Sequence, residues 1–172
     1  QFKDAWTWEH QALLHARSVA GDPSLMACIE QLRIEVLRKA VRREDLAGEV
    51  ARMRERMRRE LSAAQPGRFD MKQDRGGIAD IEFLAQYWAL RWADEYPPVA
   101  HWSDTIRQLE SVASANLVPQ ETVDVLVDAY RQYRQHGHRL SLENQPNVVD
   151  AALFSGIREP VAAIWREAFG SL

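Results

Sequence analysis

The chain has 172 residues, enough for a domain that buries about two thirds of its unfolded surface and needs neither a disulfide nor a metal to hold its core. Its 22 Lys and Arg against 25 Asp and Glu leave a formal charge of −3, which excludes the general basic excess that nucleic acid or an anionic membrane would demand; neither is expected as a partner. A single cysteine, Cys28, excludes an internal disulfide and suits the reducing cytoplasm, and no signal peptide or spanning segment is visible.

The pattern predicts an all-α fold, a bundle of about six or seven helices with at most one short strand near 68–72. The opening Gln1-Phe2-Lys3-Asp4 has no initiator Met and no basic leader, as expected of a piece cut from a longer chain. The first helix is expected over Asp4 to Arg17. After Gly21, Asp22 is placed to cap and Pro23 to occupy the first position of a second helix reaching about Val41, with Leu25, Ile29, Leu32 and Val36 on one face. A third should run from Glu44 to Ala64 on the stripe Leu46, Val50, Met53, Met57 and Leu61. Gln65-Pro66-Gly67 breaks the pattern, and Phe69 to Lys72 alternates as a short strand would. A fourth helix, Ile78 to about Ala93, is apolar around most of its circumference, the mark of a buried helix. Pro97-Pro98 ends that segment and Ser103-Asp104 starts a fifth helix. Pro119 opens a sixth that continues past Gly137, and Pro160 is read as opening the last.

The densest chemistry lies in Arg68-Phe69-Asp70-Met71-Lys72-Gln73-Asp74-Arg75-Gly76-Gly77-Ile78-Ala79-Asp80-Ile81-Glu82-Phe83. Gly76-Gly77 permits backbone conformations closed to other residues, and the helix that follows presents loose N–H groups suited to a phosphate or a partner loop. Asp80 reads either as a first-turn acid that answers those N–H groups and the helix dipole, or as a functional carboxylate. Two residues apart on a helix, Asp80 and Glu82 point about 200° from one another, a poor metal pair. Glu82 needs a partner on so apolar a helix, and Lys72 or Arg75 is within reach in sequence.

Other sites are set aside. Gly76-Gly77 lacks the Lys-Ser or Lys-Thr of a phosphate-binding loop, no histidine pair has zinc-enzyme spacing, and there is no Gly-x-Ser-x-Gly elbow. The basic run Arg52-Met53-Arg54-Glu55-Arg56-Met57-Arg58-Arg59 is expected to put its methionines on the seam and fan its arginines outward as a solvated face, docking to an acidic partner being the alternative.

Phe69-Asp70-Met71-Lys72, Gly76-Gly77-Ile78 and Asp80-Ile81-Glu82-Phe83 with Gln86-Tyr87 resemble the signature downstream of the nucleotidyltransferase domain in glutamine synthetase adenylyltransferase. Trp6-Thr7-Trp8-Glu9-His10-Gln11-Ala12-Leu13 with Ala16-Arg17 and Gly21-Asp22-Pro23, then Trp102-Ser103-Asp104 with Ile106-Arg107, extend the resemblance over nearly the whole chain. These blocks also argue for that family over the related uridylyltransferase of PII. The resemblance implies that residues 1–20 leave a nucleotidyltransferase domain and that 21–172 form a helical bundle domain. It points to the C-terminal half, which moves AMP from ATP to a tyrosine of glutamine synthetase. It further implies ATP and Mg²⁺ in the full-length enzyme, with no catalytic or metal-holding residue in this fragment, which is expected to be inactive alone. The partners it implies are the chain's own nucleotidyltransferase domain, glutamine synthetase and a PII-type regulator. Glu9, Arg17, Lys72, Gly76, Gly77, Asp80 and Glu82 are the residues expected to face the cleft or junction, Arg17 and Lys72 as cations and the three acids as their orienters. A regulatory module that relays PII or glutamine signals without touching the active site is the alternative.

Overall fold

The computed structural model describes residues 6–41, 44–63 and 65–170, and helix dominates them as expected. The expected helix boundaries at Asp4 and Ala64 lie outside the described residues. The chain divides into two compact units, one made of the residues through Val50 with Ala85–Val118, the other of Ala51–Leu84 with the residues from Pro119 onward.

The first unit holds α1 (Thr7–His15) and α2 (Pro23–Lys39). α2 opens as its sequence dictates: the Asp22 carboxylate accepts the N–H groups of Ser24 (2.8 Å) and Leu25 (3.3 Å), and Pro23 sits where a missing N–H costs nothing. Its stripe of Leu25, Ile29 and Leu32 shares one face but stays 63%, 56% and 52% exposed, while Arg33 and Leu37 are buried. Arg33 explains that rotation. Its guanidinium pairs with Glu30 at 2.5 Å and donates to the carbonyls of Leu14 (3.4 Å) and His101 (2.9 Å), so it supplies a donor where the last turn of α1 lacks one. His15 adds a second tie. A carbonyl only accepts, so the 2.9 Å contact from Nδ1 to Ser103 O makes Nδ1 the protonated nitrogen and leaves Nε2 to accept from Gln86, also at 2.9 Å. A 3₁₀ turn, Pro97–Ala100, leads to α5 (Thr105–Ser114), which Asp104 caps through the Arg107 N–H at 3.1 Å.

α3 (Leu46–Leu61) and α4 (Ile78–Trp92) have residues in both units. α4 is buried along nearly its whole length, as its all-round apolar character requires. On α3 the buried residues are Leu46, Val50, Ala51 and Arg54, while Leu61 is exposed. The outward fan expected of the basic run therefore fails at Arg54: the spacing of four from Leu46 through Val50 carries it onto the buried face.

In the second unit β1 (Arg68–Asp70) pairs antiparallel with β2 (Val148–Asp150), in the register Arg68↔Asp150, Phe69↔Val149 and Asp70↔Val148. The strand read from sequence thus has a partner that three residues were too few to announce by alternation. α6 (Gln120–Leu142) runs unbroken through Gly137 as expected. α7 (Ser155–Phe169) starts before Pro160 and contains it, contrary to the expected opening at Pro160. Pro160 has no N–H to donate, so the helix carries it at the loss of one backbone hydrogen bond. Phe69 anchors this unit, fully buried beneath the Tyr133 ring (5.8 Å between centroids) and the Arg158 guanidinium (4.6 Å). Among the described residues no helix is long and apolar enough to cross a membrane.

Phe69→Ala removes a fully buried ring and should cost about 3–5 kcal/mol. Urea unfolding should show a lower midpoint at an unchanged slope; a midpoint equal to that of the parent chain would refute this placement of Phe69.

Candidate functional site

The charged motif occupies the end of β1, the loop 71–77 and the first turn of α4. Its backbone closes on itself. Ile78 N–H donates to Met71 O (2.8 Å), Ala79 N–H to Lys72 O (3.1 Å) and Asp80 N–H to Gly77 O (3.2 Å), so the donors at the start of α4 are taken by the preceding loop. The chain's own loop thus takes the place expected for a phosphate or a partner loop, and no open phosphate cradle results. Both glycines are required by contact. A Cβ on Gly76, which has φ +77°, would lie 2.4 Å from Arg158 O, and one on Gly77 would lie 2.6 Å from Met71 O.

The carboxylates hold this loop. Asp70 accepts the N–H groups of Lys72 (2.9 Å) and Gln73 (3.0 Å), and Asp74 accepts the Asp70 N–H (3.0 Å) and the Ser62 hydroxyl (2.7 Å). Asp80 is buried, takes the Gly76 N–H at 2.7 Å, and faces Arg54 Nε at 2.8 Å. The Nε–H is not aimed along that line, so the contact is a close ion pair rather than an aligned hydrogen bond. Arg54 also donates through Nη2 to Gln73 O at 2.7 Å. Burial pushes the Asp80 carboxyl above its ordinary range, while the charge of Arg54 and the Gly76 N–H act against that rise. Asp80 thus accepts a backbone N–H at the start of its helix, as a first-turn acid does, and pairs in addition with Arg54, a partner the sequence did not suggest. Tyr133 completes the loop by donating its hydroxyl to Gly76 O at 2.9 Å, and Arg158 Nε donates to Arg75 O at 2.8 Å.

Lys72 and Glu82 are the members of the motif that meet near solvent. Lys72 Nζ lies 2.7 Å from Glu82, whose other oxygen is 3.4 Å from the Tyr130 hydroxyl; their side chains are 42% and 22% exposed. Arg75 pairs instead with Glu55 at 3.7 Å. Glu9 and Arg17 belong to the other unit. The Glu9 carboxylate accepts the Trp6 N–H at 2.7 Å and closes the first turn of α1, and Arg17 is exposed beyond the end of that helix.

This donor set does not suit a resident Mg²⁺. The Asp70, Asp74 and Asp80 oxygens accept N–H and O–H groups or face Arg54, and among the described residues no three His, Cys, Asp or Glu side chains gather as a metal would need. Sequence reasoning missed Arg54, Tyr133 and Arg158. Of these only Arg54 carried a signal, its spacing of four from Val50.

Fold and site together define a helical domain in which a charged motif fixes a glycine loop to the start of a buried helix. A protein-family model described as GlnD PII-uridylyltransferase matches residues 44–147, more than half of the chain, and the chain belongs to that family. It is 47% identical over 174 residues to a bifunctional glutamine synthetase adenylyltransferase/adenylyl-removing enzyme of Hahella chejuensis, a match covering 98% of this chain and 18% of that protein. It is also 47% identical to the enzyme so named from Thioalkalivibrio sulfidiphilus, over 94% of this chain and 17% of that one, and 42% identical to that of Acinetobacter baylyi, over 96% and 18%. The resemblance read from the motifs is thus found, and the chain spans less than a fifth of the length of the relatives it matches.

Asp80→Asn leaves Arg54 buried without its counter-charge and should cost about 3–5 kcal/mol, whereas Lys72→Ala, at a half-exposed pair, should cost about 1 kcal/mol or less. Chemical denaturation of both variants checks the contrast; equal losses would contradict it. Tyr133 gives a pH test. Burial holds its phenol above the ordinary value of 10.0, so the unfolded chain releases this proton first, and its contribution to stability is complete below that pH and declines as pH rises through and beyond it. Tyr133→Phe should flatten the alkaline loss of stability, and an unchanged slope above that pH would exclude the assignment.

Proposed function

We propose that this chain is the helical portion that follows the nucleotidyltransferase domain in the adenylylating, C-terminal half of a glutamine synthetase adenylyltransferase. The carrying observation is the 42–47% identity, over 94–98% of the chain, to relatives bearing that name. In this reading the whole enzyme works in the cytoplasm and transfers AMP from ATP, with Mg²⁺, to a tyrosine of glutamine synthetase, and a PII-type protein regulates it. The metal and the reacting phosphoryl group are held by the nucleotidyltransferase domain.

The chain's own part is to present a rigid wall to that domain. Asp70, Asp74 and Asp80 are occupied within the loop, so the motif offers outward the Lys72–Glu82 pair, near the solvent edge. Lys72 reaches a phosphate or a carboxylate across the junction, Glu82 orients it, and Gly76, Gly77 and Asp80 set the loop that positions both. Glu9 and Arg17 lie on the segment that leaves the catalytic domain.

Two measurements test this. The 172-residue chain incubated with ATP, Mg²⁺ and glutamine synthetase should transfer no AMP. In a full-length enzyme of this family, the change equivalent to Lys72→Ala should lower transfer by about tenfold or more, the loss of one charge-assisted contact, while costing no more than about 1 kcal/mol of stability. A normal rate would remove Lys72 from the site. Binding of a PII-type protein or glutamine to the chain, without any effect of Lys72 on transfer, would favour the relay role instead.

A further inference from the structure

Away from the Lys72–Glu82 edge, α3, α7 and the start of α4 enclose a cavity of about 200 Å³. Its charged lining consists of Arg54, Arg58, Arg75 and Arg166 against Glu55 and Asp80, so two positive charges are left over in a chain whose formal charge is −3. The pairing shows where the excess lies. Glu55 serves two guanidiniums, Arg58 in contact and Arg75 at 3.7 Å, and Asp80 is engaged by Arg54. Arg166 has no carboxylate partner among the described residues. Arg54 is 2% exposed, and its Nη1 is buried without any acceptor.

A buried donor without an acceptor costs about 1–3 kcal/mol, more when it carries charge. Like charges gathered on one cavity raise its potential, which an anion relieves; the unpaired Nη1, closed to solvent, adds uncompensated charge close by. The remaining wall is apolar: Ala51, Ala162 and Trp165, whose ring is braced against Phe169 at 4.3 Å between centroids. Guanidiniums match the oxygens of phosphate in paired hydrogen bonds, and a phosphate's charge of about −1.5 to −2 near neutral pH equals the excess.

We propose that this cavity is a binding site for a small phosphate-bearing ligand, held through its phosphate by Arg166 and Arg58 with the buried charge of Arg54 behind them, and by Trp165 along its organic part. Glu55 keeps Arg75 when Arg58 turns to the ligand. Nothing in this assignment depends on the adenylyltransferase reading or on Lys72.

The test uses the 172-residue chain with inorganic phosphate and with glycerol phosphate, at constant ionic strength balanced by chloride. The Trp165 indole N–H resonance, identified by its loss in Trp165→Phe, should shift saturably with phosphate and at lower concentration with glycerol phosphate. Arg166→Ala, an exposed helix position, should weaken binding at least about tenfold with no change in unfolding midpoint, and Arg58→Gln should do the same. Absence of a saturable shift, an equal shift with chloride, or parental affinity in both arginine variants would overturn the proposal.

Discussion

The buried pair of Arg54 and Asp80 is the constraint on which the second unit depends. Taking a carboxylate and a guanidinium out of water costs several kcal/mol each, and only close approach with further hydrogen bonds offsets it. Here the offset comes from the backbone of the motif itself. Gly76 N–H supports Asp80, and Gln73 O supports Arg54, so the two charges also clamp the two sides of the loop that joins β1 to α4. Removal of either partner leaves the other buried, which couples the register of α3 to the start of α4.

That clamp accounts for the pattern of glycines and acids around it. Gly77 lies so close to Met71 O and Asp74 O that no side chain fits, and Gly76 must adopt a positive φ against Arg158 O. With the loop drawn this tight, the N-terminal donors of α4 meet carbonyls of residues just before them. A motif that looks like an anion cradle in one dimension is a self-filled joint in three. Near solvent it leaves the Lys72–Glu82 pair together with Arg68 and Arg75, and Arg75 joins the arginines of α3 and α7 where the excess positive charge gathers.

Signals that act on neighbouring residues are legible in the sequence. Asp22-Pro23 and Asp104 announce helix starts because a cap needs only its own next three residues, and α4 announces burial because its apolar residues leave no polar face. Features that depend on a distant partner are not. β1 looked solitary because β2 lies some eighty residues on and is three residues long. The apolar stripe of α2 lies on one face as its spacing requires, yet Arg33 is the side turned toward α1, because it brings donors to carbonyls that no leucine could satisfy. Pro160 is a favourable first residue of a helix, yet α7 begins at Ser155 and carries it inside.

Of the candidate site, the motif boundaries, the need of Glu82 for a cation and the unsuitability of Asp80 with Glu82 as a metal pair were legible from spacing alone. What spacing leaves open is which of several arginines a buried acid will meet, since Arg54, Arg58 and Arg75 are all chemically able. Only the packing of α3 against the start of α4 decided for Arg54, because desolvation makes the pairing depend on which guanidinium is carried into the interior. By itself the sequence determined the helices, the turn and the family, all of which rest on neighbours in the chain. The tertiary structure decided which charges are buried together and which remain available, because burial is a property of distant residues brought into contact.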